Sequence, residues 1–425
     1  MKQHIKKTFL SLEVRNYRLY FIGQAISLSG TWMQTIGQAW LVLKLTNSGT
    51  ALGIITALQF LPILLLGPIG GVAADRFPKR KILYATQSIY AILALILGIL
   101  VATNTAAVWM VGVLAFLFGL VTVFDNPARQ VFVFEMVGQE RLFNAVTLNT
   151  AEINLARVVG PSLGGGLIVF LGLAPLFILN GFSYCAVLIM LFFMNDKELH
   201  SLRRPNSSKN QIRRGFSYVF STPILRDTLL MMAIIGTFAY EFNVILPILA
   251  EFTFHGNAAT FAALTAAMGA GSVIGAFFTA GRARTGAPIL IINAFLLGLF
   301  LLITAVSPSF IFACFALILV GIASINFISA GNTTLQLESK PEMRGIVMSL
   351  WTVAFLGSTP IGGPIIGWIG EFIGPRMGLA TGGAAAILAS IYGAAVLLKG
   401  NRIETITKSI WIESSQSANQ ELRVK

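Results

Sequence analysis

Apolar runs of about twenty residues recur from near residue 19 to near residue 398, and about 20 such residues are what a helix needs to cross the hydrocarbon of a bilayer. Inside lipid, only helices and closed barrels satisfy their own backbone polar groups. The pattern therefore predicts an all-α integral membrane protein. Only 11% of the 425 residues are charged and 56% are hydrophobic, against about one-quarter charged in soluble domains. We place spans at 19–45, 51–74, 82–103, 107–128, 142–171, 174–195, 224–251, 260–280, 287–305, 309–335, 345–370 and 377–398, twelve in all.

The basic residues give an independent check, because loops on the cytoplasmic side of membrane proteins are enriched in Lys and Arg. Of the 30 Lys and Arg, 27 fall on one side of this arrangement; the exceptions are Lys44, Arg376 and Arg157. Both termini are thus expected in the cytosol. Residues 1–18 hold charge without an apolar core or a small-residue cleavage site, so no removable signal peptide is expected. A net charge of +13 raises the prospect of nucleic acid, which needs cations gathered on one face or tail. Here they sit in short gaps between apolar runs, so no nucleic-acid partner is expected. Cys185 and Cys314 lie in separate apolar runs with no disulfide or metal-ligand spacing, and we read both as packing residues. No phosphate-binding Gly-x-x-x-x-Gly-Lys-Ser/Thr loop and no hydrolytic motif is present. Neither enzyme activity, cofactor nor metal is expected.

The longest polar break divides the chain into a six-helix bundle at 1–195, a cytosolic linker at 196–222, a second bundle at 223–398 and a cytosolic tail at 399–425. In the linker, Ile212, Phe216, Val219 and Phe220 form an apolar stripe edged by Arg213 and Arg214, the pattern of a helix lying on a membrane surface; an extended start of the seventh span is the alternative. The halves are weakly alike at an offset near 200, as in transporters built from repeats. Thr122, Asp125 and Arg129 match Asn326, Ser329 and Thr333, and Gly160-Pro161-Ser162-Leu163-Gly164 matches Thr359-Pro360-Ile361-Gly362-Gly363.

Polar groups inside spans are costly in lipid and tend to face a wet cavity or other helices. Span one carries Gln24, Ser27, Thr31, Gln34 and Gln38 at steps of three and four, beside a stripe of Gly23, Gly30 and Gly37. Span seven offers Tyr240, Glu241 and Asn243, and span ten Asn326, Ser329, Thr333 and Gln336. We expect a substrate cavity between the halves, with hydrogen bonding between helices as the alternative for each residue. Glu152, Arg157 and Glu241 are the deepest ionisable groups and the candidates for coupling. Either acid could carry a proton, neutralise Arg157 or meet a cationic substrate.

After span two comes Gly71-Val72-Ala73-Ala74-Asp75-Arg76-Phe77-Pro78-Lys79-Arg80-Lys81, which resembles the cytoplasmic loop motif of the major facilitator superfamily. Gly71 would allow close helix approach, and Asp75 would accept from the N-terminus of a neighbouring helix. The predicted cytosolic gate comprises Gly71, Asp75, Arg76, Lys79 and Arg80 together with Asp125 and Arg129, which flank Pro127 where the fourth span should bend or end. These could exchange partners with Asp75 and Lys79; a plain ion pair at a helix end is the alternative. The counterpart loop, Gly281-Arg282-Ala283-Arg284, has no acid. Gly160, Pro161, Gly164 and Gly165 resemble the helix-bend motif of exporters in that superfamily, and Phe124-Asp125-Asn126-Pro127-Ala128-Arg129 resembles its enterobactin-exporter and macrolide-efflux branch.

The resemblance covers roughly residues 10–400. It implies two pseudo-symmetric six-helix bundles in the cytoplasmic (inner or plasma) membrane, rocking about a central site as a monomer. The implied function is proton-coupled export of a small amphiphilic molecule, a siderophore, drug or similar metabolite. A lipid or lysolipid mover of the same fold, or a receptor that transports nothing, are the alternatives. The partners implied are the small-molecule substrate, the proton and the lipid bilayer.

Overall fold

The computed structural model describes residues 9–200, 211–280, 286–340 and 343–396, apart from the side chains at 68, 75, 211–215 and 278–280. Among the described residues the structure is helical without strands. The first half contains α1 (Arg15–Thr46), α2 (Gly49–Arg76), α3 (Lys79–Ala102), α4 (Val108–Leu171) and α5 (Leu173–Phe192). The second contains α6 (Gln211–Ser221), α7 (Pro223–Ala239), α8 (Phe242–Ile248), α9 (Ala258–Ala280), α10 (Ala287–Ala305), α11 (Phe310–Glu338), α12 (Arg344–Leu356), α13 (Thr359–Phe372) and α14 (Pro375–Val396). Ten candidate membrane spans, some joining two of these elements, are long and apolar enough to cross a bilayer. The helix α1, at 32 residues, is longer than most of them but too rich in Gln, Ser and Thr to be among them.

Three elements differ from the sequence reading. Residues 129–141, expected as a loop between spans, are helical on both sides of Gly138, so that α4, 64 residues in all, is two helices joined at a kink at this one residue, with φ 69° and ψ −177°. Pro127 does not end this helix; the backbone only turns where glycine, lacking Cβ, permits that conformation. The seventh span is not one helix. It stops at Ala239 and restarts at Phe242, then runs into a π-helical turn at Leu249–Thr253. The eleventh is likewise divided, between Leu356 and Thr359. There Pro360 has no N–H to donate and fits best in the first turn of a new helix.

The linker helix α6 is separate from α7. Tyr218 on it accepts a hydrogen bond from the Lys340 amide at 3.1 Å, which ties α6 to the second half. The linker at 201–210, the loop Gly281-Arg282-Ala283-Arg284 and the tail at 399–425 lie outside the described residues. Cys185 and Cys314 are partly buried and free.

Within the first half, α1 packs on α4 and α5, and α2 on α4. The Gly23, Gly30 and Gly37 stripe faces α5: a Cβ at Gly23 would stand 3.2 Å from Val187 Cα, and one at Gly37 2.8 Å from a Leu176 methyl. The second half packs α11 between α9 and α10. Most of the contact between the halves runs through two helix pairs, α2 with α13 and α4 with α9. Both contacts lie toward the end of the molecule where Thr46, Leu171 and Phe372 stop, called here the far end. The near end is the one where α1 begins.

Candidate functional site

Between the halves lies a cavity of about 780 Å³. It follows α1 from Tyr20 to Val42, about 33 Å at 1.5 Å per residue. Its far end is blind and dry, walled by Val42, Leu52 and Ile55, which are at most 4% exposed. At the near end it is bordered by Val146 and Ile153, which are 51% and 42% exposed. All but three of its lining residues come from the first half, the exceptions being Asn243, Phe355 and Leu356.

Of the cavity residues expected from sequence, Gln24, Thr31, Gln34, Gln38 and Asn243 line this space. Ser27 is 1% exposed and does not. Tyr240 is held away from it, donating to the Ser324 carbonyl at 3.0 Å and packing edge-on against Phe355 with ring centres 5.1 Å apart. Asn326 and Ser329 also fall outside the lining. Along that stripe of α11 Asn326 is buried, Ser329 and Thr333 are half-buried and Gln336 is exposed. Polar residues that sequence periodicity on α1 did not reveal complete the wall: Gln59 and Thr56 from α2, and Asn126, Gln130, Asn149 and Thr150 from α4. Asn126 and Gln130 stand four apart, on one helix face, but hydropathy alone hid them and the adjacent pair Asn149 and Thr150 inside α4.

A network of hydrogen bonds holds the lining amides. Gln38 donates to Gln59 at 3.1 Å, which bridges α1 and α2 across the cavity wall. Asn180 donates to Gln34 at 2.6 Å, and Thr31 and Tyr184 share a hydrogen bond of 3.0 Å. The wall is therefore pre-organised, with aromatic faces from Trp32, Phe60, Phe118 and Phe355 between polar groups. Such a mixture suits an amphiphilic guest.

Asp125, 1% exposed, stands behind the charged part of the wall. It accepts from Thr86 at 2.6 Å and Gln87 at 2.9 Å and pairs with Arg129 at 2.5 Å. Arg129 also donates to Gln24 at 2.5 Å and lines the cavity. Arg129 thus forms part of the wall, with Asp125 behind it. Glu152 stands in the same wall, 6% exposed, with Oε1 lacking any hydrogen-bond partner. The amide nitrogen of Gln24 is unpartnered as well. A buried carboxylate oxygen left without a donor favours a proton or a ligand group that donates to it.

The other two deep charges are placed differently. Arg157 lies over the Trp32 ring at 4.9 Å, and its carbonyl faces Gly269 on α9, so it marks the seam between the halves. Glu241, 3% exposed, does not line the cavity. It occupies the break between α7 and α8, where its Oε1 has no partner and would stand 2.9 Å from a Cβ at Gly362 of α13. The two broken helices of the second half thus meet at one carboxylate.

In the loop after α2, Gly71 has open space around it, which removes the close approach expected of it; Gly70 is the glycine pressed against α4, at the Val123 carbonyl. The Asp75 side chain lies outside the described residues, and Arg76 is exposed. Lys79 pairs with Glu135 at 3.3 Å, and Arg80 pairs with Asp196 and donates to the Leu191 carbonyl. These cations tie α3 to the near-end stretch of α4 and to the segment after α5, all within the first half. Gly160 and Gly164 seat α4 on α1, where a Cβ would stand 2.6 Å from Trp32 Cβ and 2.9 Å from Met33 Cγ. Gly165 abuts Ala262 of α9, and the helix keeps helical dihedrals through Pro161.

Known proteins of the same kind place this geometry. The chain is 25% identical over 367 residues to the uncharacterized MFS-type transporter YfiS of Bacillus subtilis (strain 168), which covers 82% of this chain and 86% of that protein. To the enterobactin exporter EntS of Shigella boydii serotype 18 it is 24% identical over 391 residues, 91% and 92% of the two chains. To the staphyloferrin A transporter of Staphylococcus aureus (strain NCTC 8325 / PS 47) it is 25% identical over 248 residues, 57% and 62%. In fold it is similar to a bacterial homologue of the human lysosomal transporter Spinster in an inward-facing, unoccupied conformation, with TM-score 0.68, 15% identity and 90% and 95% coverage. It is also similar to a POT family transporter in complex with 5-aminolevulinic acid, with TM-score 0.72, 12% identity and 91% and 96% coverage. A family profile described as transmembrane secretion effector matches residues 7–421, and the chain belongs to that family of major facilitator superfamily transporters.

Proposed function

We propose that this transporter exports a small amphiphilic molecule by alternating access, coupled to proton entry, from a membrane in which both termini are cytosolic. Twelve crossings follow when the ten apolar spans are supplemented by α1 and α4 is counted as two at Gly138. The clustering of Lys and Arg on the near side supports the orientation. The observation that carries the reading is the cavity itself, walled by fixed amides, bordered by exposed residues at the near end and blind at the far end. In this orientation it faces the cytosol, ready to load cargo bound outward.

Coupling is assigned to Glu152, whose unpartnered oxygen stands in the cavity wall. A proton and a donor group of the cargo would then compete for one carboxylate. Glu241 is the second carrier candidate, set where broken helices would feel its charge change. The relatives described as siderophore transporters make siderophores the first cargo to try.

Purified protein in proteoliposomes, inverted so that the near end faces out and acidified inside, is expected to take up at least one member of a panel. The panel holds a catecholate siderophore, a carboxylate siderophore and ethidium. Glu152→Gln should remove the dependence on the proton gradient while ligand binding persists. Gradient-driven flux unchanged in Glu152→Gln would reject Glu152 as carrier, and no flux of any panel member would count against export.

A further inference from the structure

Glu371 closes the far end from the second half onto the first. It is the last but one residue of α13, and its Oε2 accepts the Ser48 hydroxyl at 2.7 Å and the Thr50 amide at 2.8 Å. Both donors belong to the start of α2. Ser48 already caps that helix by accepting from the Ala51 amide at 3.1 Å, which leaves its hydroxyl proton for Glu371. A carboxylate in the last turn of its own helix is unfavourable, whereas the same charge at the N-terminus of another helix is stabilised. The charge of Glu371 is therefore compensated by the opposite half, and only while the halves touch.

The register beneath it makes the contact specific. Gly363, Gly367 and Glu371 stand four apart on α13 and so share one face. Gly367 meets Gly49 of α2, and Gly363 meets Gly53, in antiparallel order. A Cβ at Gly53 would stand 2.7 Å from the Gly363 carbonyl carbon and 2.9 Å from Pro364 Cα. Two glycine crossings bring the backbones together and one charged hydrogen-bonding group finishes the seam. Crossings of this kind pack by close approach alone, so they open or close without breaking polar bonds. Among the described residues, the Glu371 contact is a hydrogen-bonded link between the halves that opening must break.

We propose that Glu371, held by Ser48 and the Thr50 amide, is the positioning residue whose contact decides how much of the population is closed at the far end. This rests on the alternating-access reading. Spin labels at Ala102→Cys and Val306→Cys, exposed far-end positions of the two halves, report the opening as a distance distribution once Cys185 and Cys314 are replaced by serine. Ser48→Ala is expected to raise the ratio of long to short far-end distances about tenfold, the loss of one charged hydrogen bond, and Glu371→Ala, which loses both, at least as much. Glu371→Gln, which keeps an acceptor, should raise it less, and melting temperatures verify that each variant is folded. Gly53→Leu forces the glycine seam apart without touching Glu371. A response to Gly53→Leu with none to Glu371→Ala and Ser48→Ala overturns the latch alone. Silence in all of them overturns the rocking motion on which it rests.

Discussion

Asp125 shows how a membrane-buried charge is made tolerable. It is surrounded by donors from Thr86, Gln87 and Arg129, and removing one partner of a buried pair strands the other. Asp125→Leu should therefore destabilise the protein by about 3–5 kcal/mol. Combining it with Arg129→Met should recover much of that loss, because the orphaned cation is gone. Thermal melts in detergent check both; a single variant as stable as the double would show that the pair is not a unit. Glu152 lines the cavity with one carboxylate oxygen unpartnered, and that contrast is what makes it, rather than Asp125, the proposed carrier. Both acids were visible in the sequence. Their roles were not, because whether a carboxylate has donors around it depends on α1 and α3 meeting α4, which no local pattern records.

At the level of elements, long apolar runs made the helices readable, and Gln24, Thr31, Gln34 and Gln38 gave the cavity face of α1 by spacing alone. The breaks were less readable. Pro161 and Pro360 occupy matching motifs, yet the first sits inside a continuous helix and the second restarts one. The difference comes from what each helix packs on, since neighbouring helices in a membrane can re-satisfy the carbonyls a proline frees. Gly138 looked like one residue of a loop, but its φ of 69° with ψ near 180° is a backbone state reserved for glycine. Gly138→Ala is expected to cost about 1–3 kcal/mol, seen as a fall in melting temperature. An unchanged melt would mean that the bend relaxes without strain. The π-helical turn at Leu249–Thr253 has no sequence sign that we can name.

On the proposed two-bundle arrangement, the halves meet chiefly through α2 with α13 and α4 with α9. The α6 helix is bound to the second bundle through Tyr218 and Lys340. Severing the chain between residues 200 and 211 should therefore leave two pieces, each with its own buried contacts, that associate when produced together. Co-purification of an untagged second piece with a tagged first piece measures this; recovery of the tagged piece alone would show that the covalent link is needed for assembly. Cavity lining divides unequally between the same two pieces, with only Asn243, Phe355 and Leu356 from the second.

The kink at Gly138 leaves α4 as two helices with a single residue between them. Asp125 and Arg129 belong to the helix before it, Gly160 and Gly165 to the helix after it. With so little chain to spare, the two helix ends at Gly138 stay neighbours at whatever angle each helix adopts, so the arm that carries the charged wall and the arm that carries the Gly165–Ala262 contact share one pivot.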